Sequence, residues 1–328
     1  MRRRPNIDDT IRILPRPPRH KRGGVLAAAV VVVLLAGSIA GWVLWPRQVQ
    51  PPISTPAPAT AVAIPIETAS EEQIRDHVPT SFTIFRFAAN PHILVLDFAS
   101  LRDQGMMLNR VAALVEKAGV PHDRVLTDSE LDQAIRAQGD TVETFYYGHD
   151  YSAAALVNFF ALADRDHVEL HPEEAQLRAL LRQEGWLAPA ATGGLISIPA
   201  VGADAKVTEA VRAAILRHEL SHGEFFSNPA YADYVHGFWL TALTEAERAG
   251  VRRFLAGEEY DPALEEVMFN EMQAYLMFTR DTLFFTPDMV GLTPTRLAEL
   301  RTRFFDGMPD GWLRDVLAGY ASTPSAAK

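Results

Sequence analysis

With 328 residues and an ordinary hydrophobic share of 48%, the chain is long enough to bury one large core or two modest ones. It has no cysteine, which excludes disulfides, thiolate metal ligands and a thiol nucleophile, so any metal must be held by His, Asp or Glu. The net charge of −10 is uneven: Arg2, Arg3, Arg4, Arg12, Arg16, Arg19, Lys21 and Arg22 face only Asp8 and Asp9, and the strongly acidic remainder argues against a nucleic-acid partner.

The basic tail, residues 1–24, runs into VLAAAVVVVLLAGSIAGWVLW, Val25–Trp45. This segment is uncharged and, as a helix, long enough to cross the hydrocarbon core of a bilayer. Trp42 and Trp45 fall at its far end, where indoles favour the interface, and the cationic cluster precedes it. The expected topology is a single-pass anchor in the cytoplasmic membrane, with the N-terminus cytoplasmic and the body extracytoplasmic, periplasmic in a cell with two membranes. A cleavable signal peptide would have a shorter apolar core and a shorter leading region. Residues 46–67 include PPISTPAPATAVAIP, without apolar period, and read as an extended tether.

The expected body is α+β, in two regions. In residues 68–190, FTIFRF (82–87) and HILVLDF (92–98) suit strands divided by the Asn90-Pro91 turn signal. Helices are predicted at 101–117, 129–137, 152–163 and 172–184. Between them FYYGHDY places Tyr147, His149 and Asp150 together, either lining a cleft or making a local turn. Residues 191–328 open with GGLISIPAV (193–201), a candidate strand for pairing with an extended substrate, and are otherwise helical, at 207–222, 229–240, 245–255, 262–279 and 294–305.

The helix 207–222 carries RHELSH, the HExxH spacing of zinc peptidases. Four residues apart on a helix is one face, so His218 and His222 present two imidazoles to one ion. Glu219 stands about 100° further round, placed to take a proton from water. Both histidines continue the apolar row Val207, Val211, Ala214, Ile215 and so point inward, and Gly223 reads as the helix stop. The alternative is a pair of core histidines bonded to backbone carbonyls. A catalytic zinc site needs a third protein ligand and an open fourth position. Position 228 is Asn, which disfavours the metzincin pattern; Asp233 and His236 are candidates, and Glu271 is the strongest. Along helix 262–279 the polar row is Glu266, Asn270, Gln273 and Arg280, whereas Glu271 falls on the packed side, where an uncompensated charge is costly. An ion pair with an arginine is the other way to compensate it.

HELSH followed by a later helix bearing Asn270-Glu271 resembles the gluzincin clan of metallopeptidases, the thermolysin-like enzymes. The resemblance covers the two motif helices. It implies a zincin-like catalytic domain, Zn2+ as cofactor, His218, His222 and Glu271 as its ligands and Glu219 as general base. Thermolysin-like enzymes carry an Asp four residues after the ligand Glu; this chain has Tyr275 there, a candidate for supporting a ligand or an oxyanion, or for packing in the core. The functional expectation is a membrane-anchored zinc hydrolase acting on a peptide or protein substrate outside the cytoplasm. The competing expectation is a non-catalytic binding or scaffold protein with a structural zinc.

Overall fold

The computed structural model describes residues 63–188 and 190–322. The basic tail, the expected membrane helix and the linker through residue 62 lie outside them. Among the described residues no helix is long and apolar enough to cross a membrane.

Five strands, β1 (Glu67–Ala69), β2 (Thr83–Phe87), β3 (Ile93–Phe98), β4 (His149–Ser152) and β5 (Gly194–Pro199), form one sheet in the order β1-β2-β3-β5-β4. β1 and β2 are parallel, as are β3 and β5, while β2–β3 and β5–β4 are antiparallel. β3 and β5 are buried along their whole length because both faces of the sheet are covered. Alternation sends Ile93, Val95, Ile196 and Ile198 to one core, and Leu94, Leu96, Phe98 and Leu195 to the other.

β5 lies beyond residue 190 yet pairs with β3 and β4, which precede it, so one sheet joins the two regions. Both sides of β5 are therefore taken, which overturns its expected pairing with substrate. The edge beside it is β4, four residues reading HDYS that resemble a polar turn in sequence.

Helix α1 (Glu71–Asp76) precedes β2, and α2 (Leu101–Val115), α3 (Asp128–Ala137), α4 (Ala153–Arg165) and α5 (Pro172–Gln183) lie between β3 and β5 in sequence. The second half is α6 (Glu209–Ser227), α7 (Pro229–Ala242), α8 (Glu245–Gly257), α9 (Glu265–Gln273), a π-helical turn (Ala274–Phe278), a 3₁₀ turn (Pro287–Val290), α10 (Pro294–Gly307) and α11 (Trp312–Ser322). The starts are set by side-chain caps: Ser100, Thr208, Asn228 and Thr244 accept hydrogen bonds from the amides of Asp103, Val211, Tyr231 and Glu247. α6 packs on one face of the sheet and α2 and α4 on the other, while α7 and α9 flank α6. A small strand-bearing N-terminal part followed by a mainly helical half is a zincin-like α+β architecture.

Two features fix α6 on the sheet. Gly223 does not end the helix, which continues to Ser227. A Cβ at Gly223 would lie 2.8 Å from the Ile93 side chain, and one at Gly194 would lie 2.8 Å from the Gly223 Cα, so the glycines serve close helix–sheet approach. One helical turn after the cap, the buried Arg212 makes two 2.8 Å hydrogen bonds to Asp97 on β3 and donates to the carbonyls of Pro199 and Ile74. A guanidinium satisfied at this many points pays for its desolvation and sets the helix's rotation.

Candidate metal centre

α6 carries His218 and His222 toward α9, and their Nε2 atoms come within 3.1 Å of each other. Glu271, on α9, places its carboxylate 3.5 Å from the His218 Nε2 and 3.6 Å from the His222 Nε2. All three side chains are buried. The outer nitrogens have partners: His218 Nδ1 lies 2.8 Å from the Thr279 hydroxyl, and His222 Nδ1 lies 2.9 Å from Asn270 Oδ1.

These partners settle the tautomers. Asn270 Oδ1 only accepts, so His222 Nδ1 carries the proton. The Thr279 hydroxyl donates to the Ala274 carbonyl at 3.1 Å and so accepts from His218 Nδ1. Both Nε2 atoms are then bare lone pairs facing each other beside a carboxylate, with no proton between them. One Glu271 oxygen, Oε2, has no hydrogen-bond partner. Two convergent lone pairs and an orphaned buried carboxylate oxygen are a donor set that fits a cation, with the N/O chemistry of zinc. Burial drives the His218 pKa down to about 3 and that of His222 down to about 4, so both imidazoles are neutral at neutral pH, as ligation requires.

Glu219 is also buried, and burial, with Glu271 and Glu116 nearby, raises its pKa well above the ordinary range. Its Oε1 lies against the backbone of Gly148, where an added Cβ would come within 2.1 Å, and its Oε2 has no hydrogen-bond partner. The residue before β4 thus holds the carboxylate in place by having no side chain. Tyr275 sets its ring edge-on to His218, centroids 4.9 Å apart, and packs against Phe254 and Phe285. Asp233 and His236 do not join the cluster: both are exposed, and His236 stacks on Phe269. Among the described residues Glu271 is partnered by the two histidines and the Tyr260 phenol, not by an arginine.

Other residues reach the centre that sequence reasoning did not assign to it. Asp150, from the FYYGHDY segment, enters through β4 and lies 3.5 Å from His222 Nδ1. Its neighbours there do otherwise: Tyr147 is core, and His149 is buried against Ser197 Oγ at 2.9 Å. Glu116, at the end of α2, comes from the opposite face of the sheet. Oxygens of Glu116, Asp150 and Glu271 lie within 4.8 Å of one another. Of the expected polar row of α9, Glu266 and Arg280 are exposed, but Asn270 and Gln273 are inside the protein: Asn270 holds His222, and Gln273 accepts from the Tyr231 hydroxyl and donates to Ser221.

Thr279 takes its position because the helix after Gln273 widens into the π turn. Thr279→Val should therefore lower metal affinity by about 10–100-fold while leaving the fold intact, and Thr279→Ser should restore it, both read by chelator competition.

Burial, then the neighbouring Glu271, raises the Glu116 pKa from 4.5 to about 8. The stability linked to this group is fully present below pH 4.5 and is lost as pH rises toward about 8. The two histidines act in the other direction, their share being present above pH 6.5 and lost as pH falls through about 4 and 3. Glu116→Gln should raise the melting temperature of the metal-free protein at pH 8 and leave it unchanged at pH 4.5, which thermal melts across pH will check.

Comparison of the chain with protein-family models, curated proteins and solved structures finds no match.

Proposed function

We propose that the protein is a zinc-dependent hydrolase, a peptidase, anchored by Val25–Trp45 with its body outside the cytoplasm. The observation that carries this reading is the pair of bare Nε2 atoms 3.1 Å apart beside Glu271, with a separate carboxylate, Glu219, having an oxygen free of hydrogen bonds. In this reading His218, His222 and Glu271 hold zinc. When bound, zinc supplies a Lewis acid that acidifies water and polarises a carbonyl.

The remaining chemistry belongs to the chain. Glu219 Oε2 accepts the proton of the attacking water and returns it to the leaving amine. Thr279 and Asn270 orient the two imidazoles, and Tyr275 buttresses the His218 ring. An extended substrate lies along β4, the sheet edge whose chain passes Glu219 at Gly148 and carries Asp150. The scaffold alternative leaves unexplained both a carboxylate oxygen without a partner and a cavity of about 350 Å3 that reaches Glu271.

The test uses the full chain in detergent: bound metal is measured, and a peptide library is screened for cleavage that a chelator abolishes. Stoichiometric zinc without cleavage would sink the peptidase reading. For topology, a reporter active only outside the cytoplasm, fused after Lys328, should be active. A silent reporter, with the same fusion working in the cytoplasm, would reverse the orientation.

A further inference from the structure

We propose that the cavity beside the metal centre binds a positively charged nitrogen of the substrate, the α-ammonium of a peptide's first residue, between Glu116 and Asp150. This rests on the hydrolase reading for the word substrate and deepens it to removal of a terminal residue. The cavity measures about 350 Å3, and its lining includes Glu116, Asp150, Tyr151 and Glu271 with apolar walls such as Val115 and Phe226.

The carboxylates lack a matching cation. Glu116, Asp150 and Glu271 are 4%, 8% and 2% exposed, and acidic groups so buried either keep a proton or need a cation beside them. Glu271 faces the two histidines and belongs to the metal. Lys117 attracts Glu116, but its ammonium is 2.9 Å from Glu259 and lies over the rings of Phe145 and Tyr146. Asp150 has His222 Nδ1 at 3.5 Å, a nitrogen whose proton goes to Asn270. Two carboxylates therefore remain for an incoming cation.

A second observation is independent of their charge. Tyr151 is fully buried and lines the same cavity, yet its hydroxyl has no hydrogen-bond partner. A buried hydroxyl left unpaired is costly, and a ligand polar group at this place would pair it. The space favours an organic cation over a bare ion, since an apolar wall and an acidic end suit a residue with its ammonium. Because Glu271 belongs both to the donor set and to the acidic triad, a nitrogen held there would be one carboxylate away from the histidine pair. That separation matches an α-ammonium next to the reacting carbonyl better than an ammonium at the end of a four-carbon side chain.

Binding can be read without turnover, by calorimetry on the full chain in detergent, metal-free and as zinc-loaded Glu219→Gln. Leucinamide, N-acetyl-leucinamide and Nα-acetyl-lysinamide are the probes. Leucinamide should bind about tenfold or more tighter than either acetylated probe. Glu116→Gln and Asp150→Asn should each reduce that preference severalfold, with melting behaviour showing that the variants are folded. The wild-type comparison needs no variant. Equal binding of leucinamide and N-acetyl-leucinamide would overturn the pocket, as would an undiminished preference in both variants. Tighter binding of Nα-acetyl-lysinamide would overturn the terminal-residue assignment in favour of a side-chain ammonium. Displacement of leucinamide by manganese from the zinc-loaded protein would overturn it in favour of an inorganic cation. Ammonium preference without any peptide cleavage would sink the hydrolase reading and leave the pocket standing; equal cleavage of free and blocked peptides would do the reverse.

Discussion

Glu271→Ala is expected to lose metal and activity together, with affinity falling by more than about 100-fold, beyond the loss typical of an outer hydrogen-bond partner. The reason is positional. His218 and His222 ride on one helix and come as a pair, whereas Glu271 arrives from α9 and is the acidic member that closes the set. Removing it leaves two neutral imidazoles, which hold a dication poorly, and also removes a buried carboxylate from a crowded group. The variant should therefore fold, which circular dichroism will show, while equilibrium dialysis finds no bound zinc. Stoichiometric zinc at unchanged affinity in Glu271→Ala would refute its assignment as a ligand. Asp150, which shares a possible ligand group with His222, would then be examined in its place.

Glu219→Gln is expected to separate the two properties. Zinc content should stay at one per chain, and turnover should fall by about 10²–10⁴-fold, the usual contribution of a general base. The amide keeps the volume and the contact with Gly148 but cannot take a proton. Because burial already penalises the Glu219 charge, the metal-free variant should be at least as stable as wild type at neutral pH. Cleavage at the wild-type rate by Glu219→Gln would exclude this residue as the base.

The residues legible in the sequence are those joined by rigid local geometry. A helix fixes what lies four residues apart, so His218 and His222 could be paired on spacing alone, and the packed-side position of Glu271 marked it as needing compensation. Most strands and helices followed from periodicity and caps, and β3 was predicted within a residue at its start. What failed depended on tertiary contact. Gly223 looked like a helix stop because nothing local shows that Ile93 presses on it. β4 was missed because four residues of mixed polarity carry no period, although they hold the edge position and Asp150. Glu116 had no local signal: it ends an ordinary helix and reaches the centre only through the packing of α2 on the sheet. Thr279 was hidden by the π turn, which changes the phase on which counting from Glu271 relied.

That hydroxyl has a consequence for the electric field at the centre. Thermolysin-like enzymes, which the motif helices resemble, place a carboxylate behind one of the ligating histidines. Here the group behind His218 is the neutral Thr279, and acidic groups stand on the cavity side, in Glu116 and Asp150. The back of His218 is therefore uncharged, whereas a ligand that approaches through the cavity has Glu116 and Asp150 beside it, acidic groups that burial keeps protonated and of which Glu116 gains its charge toward pH 8. Inhibitors built on a phosphate or a free carboxylate should bind this centre more weakly than their neutral counterparts, and increasingly so as pH rises.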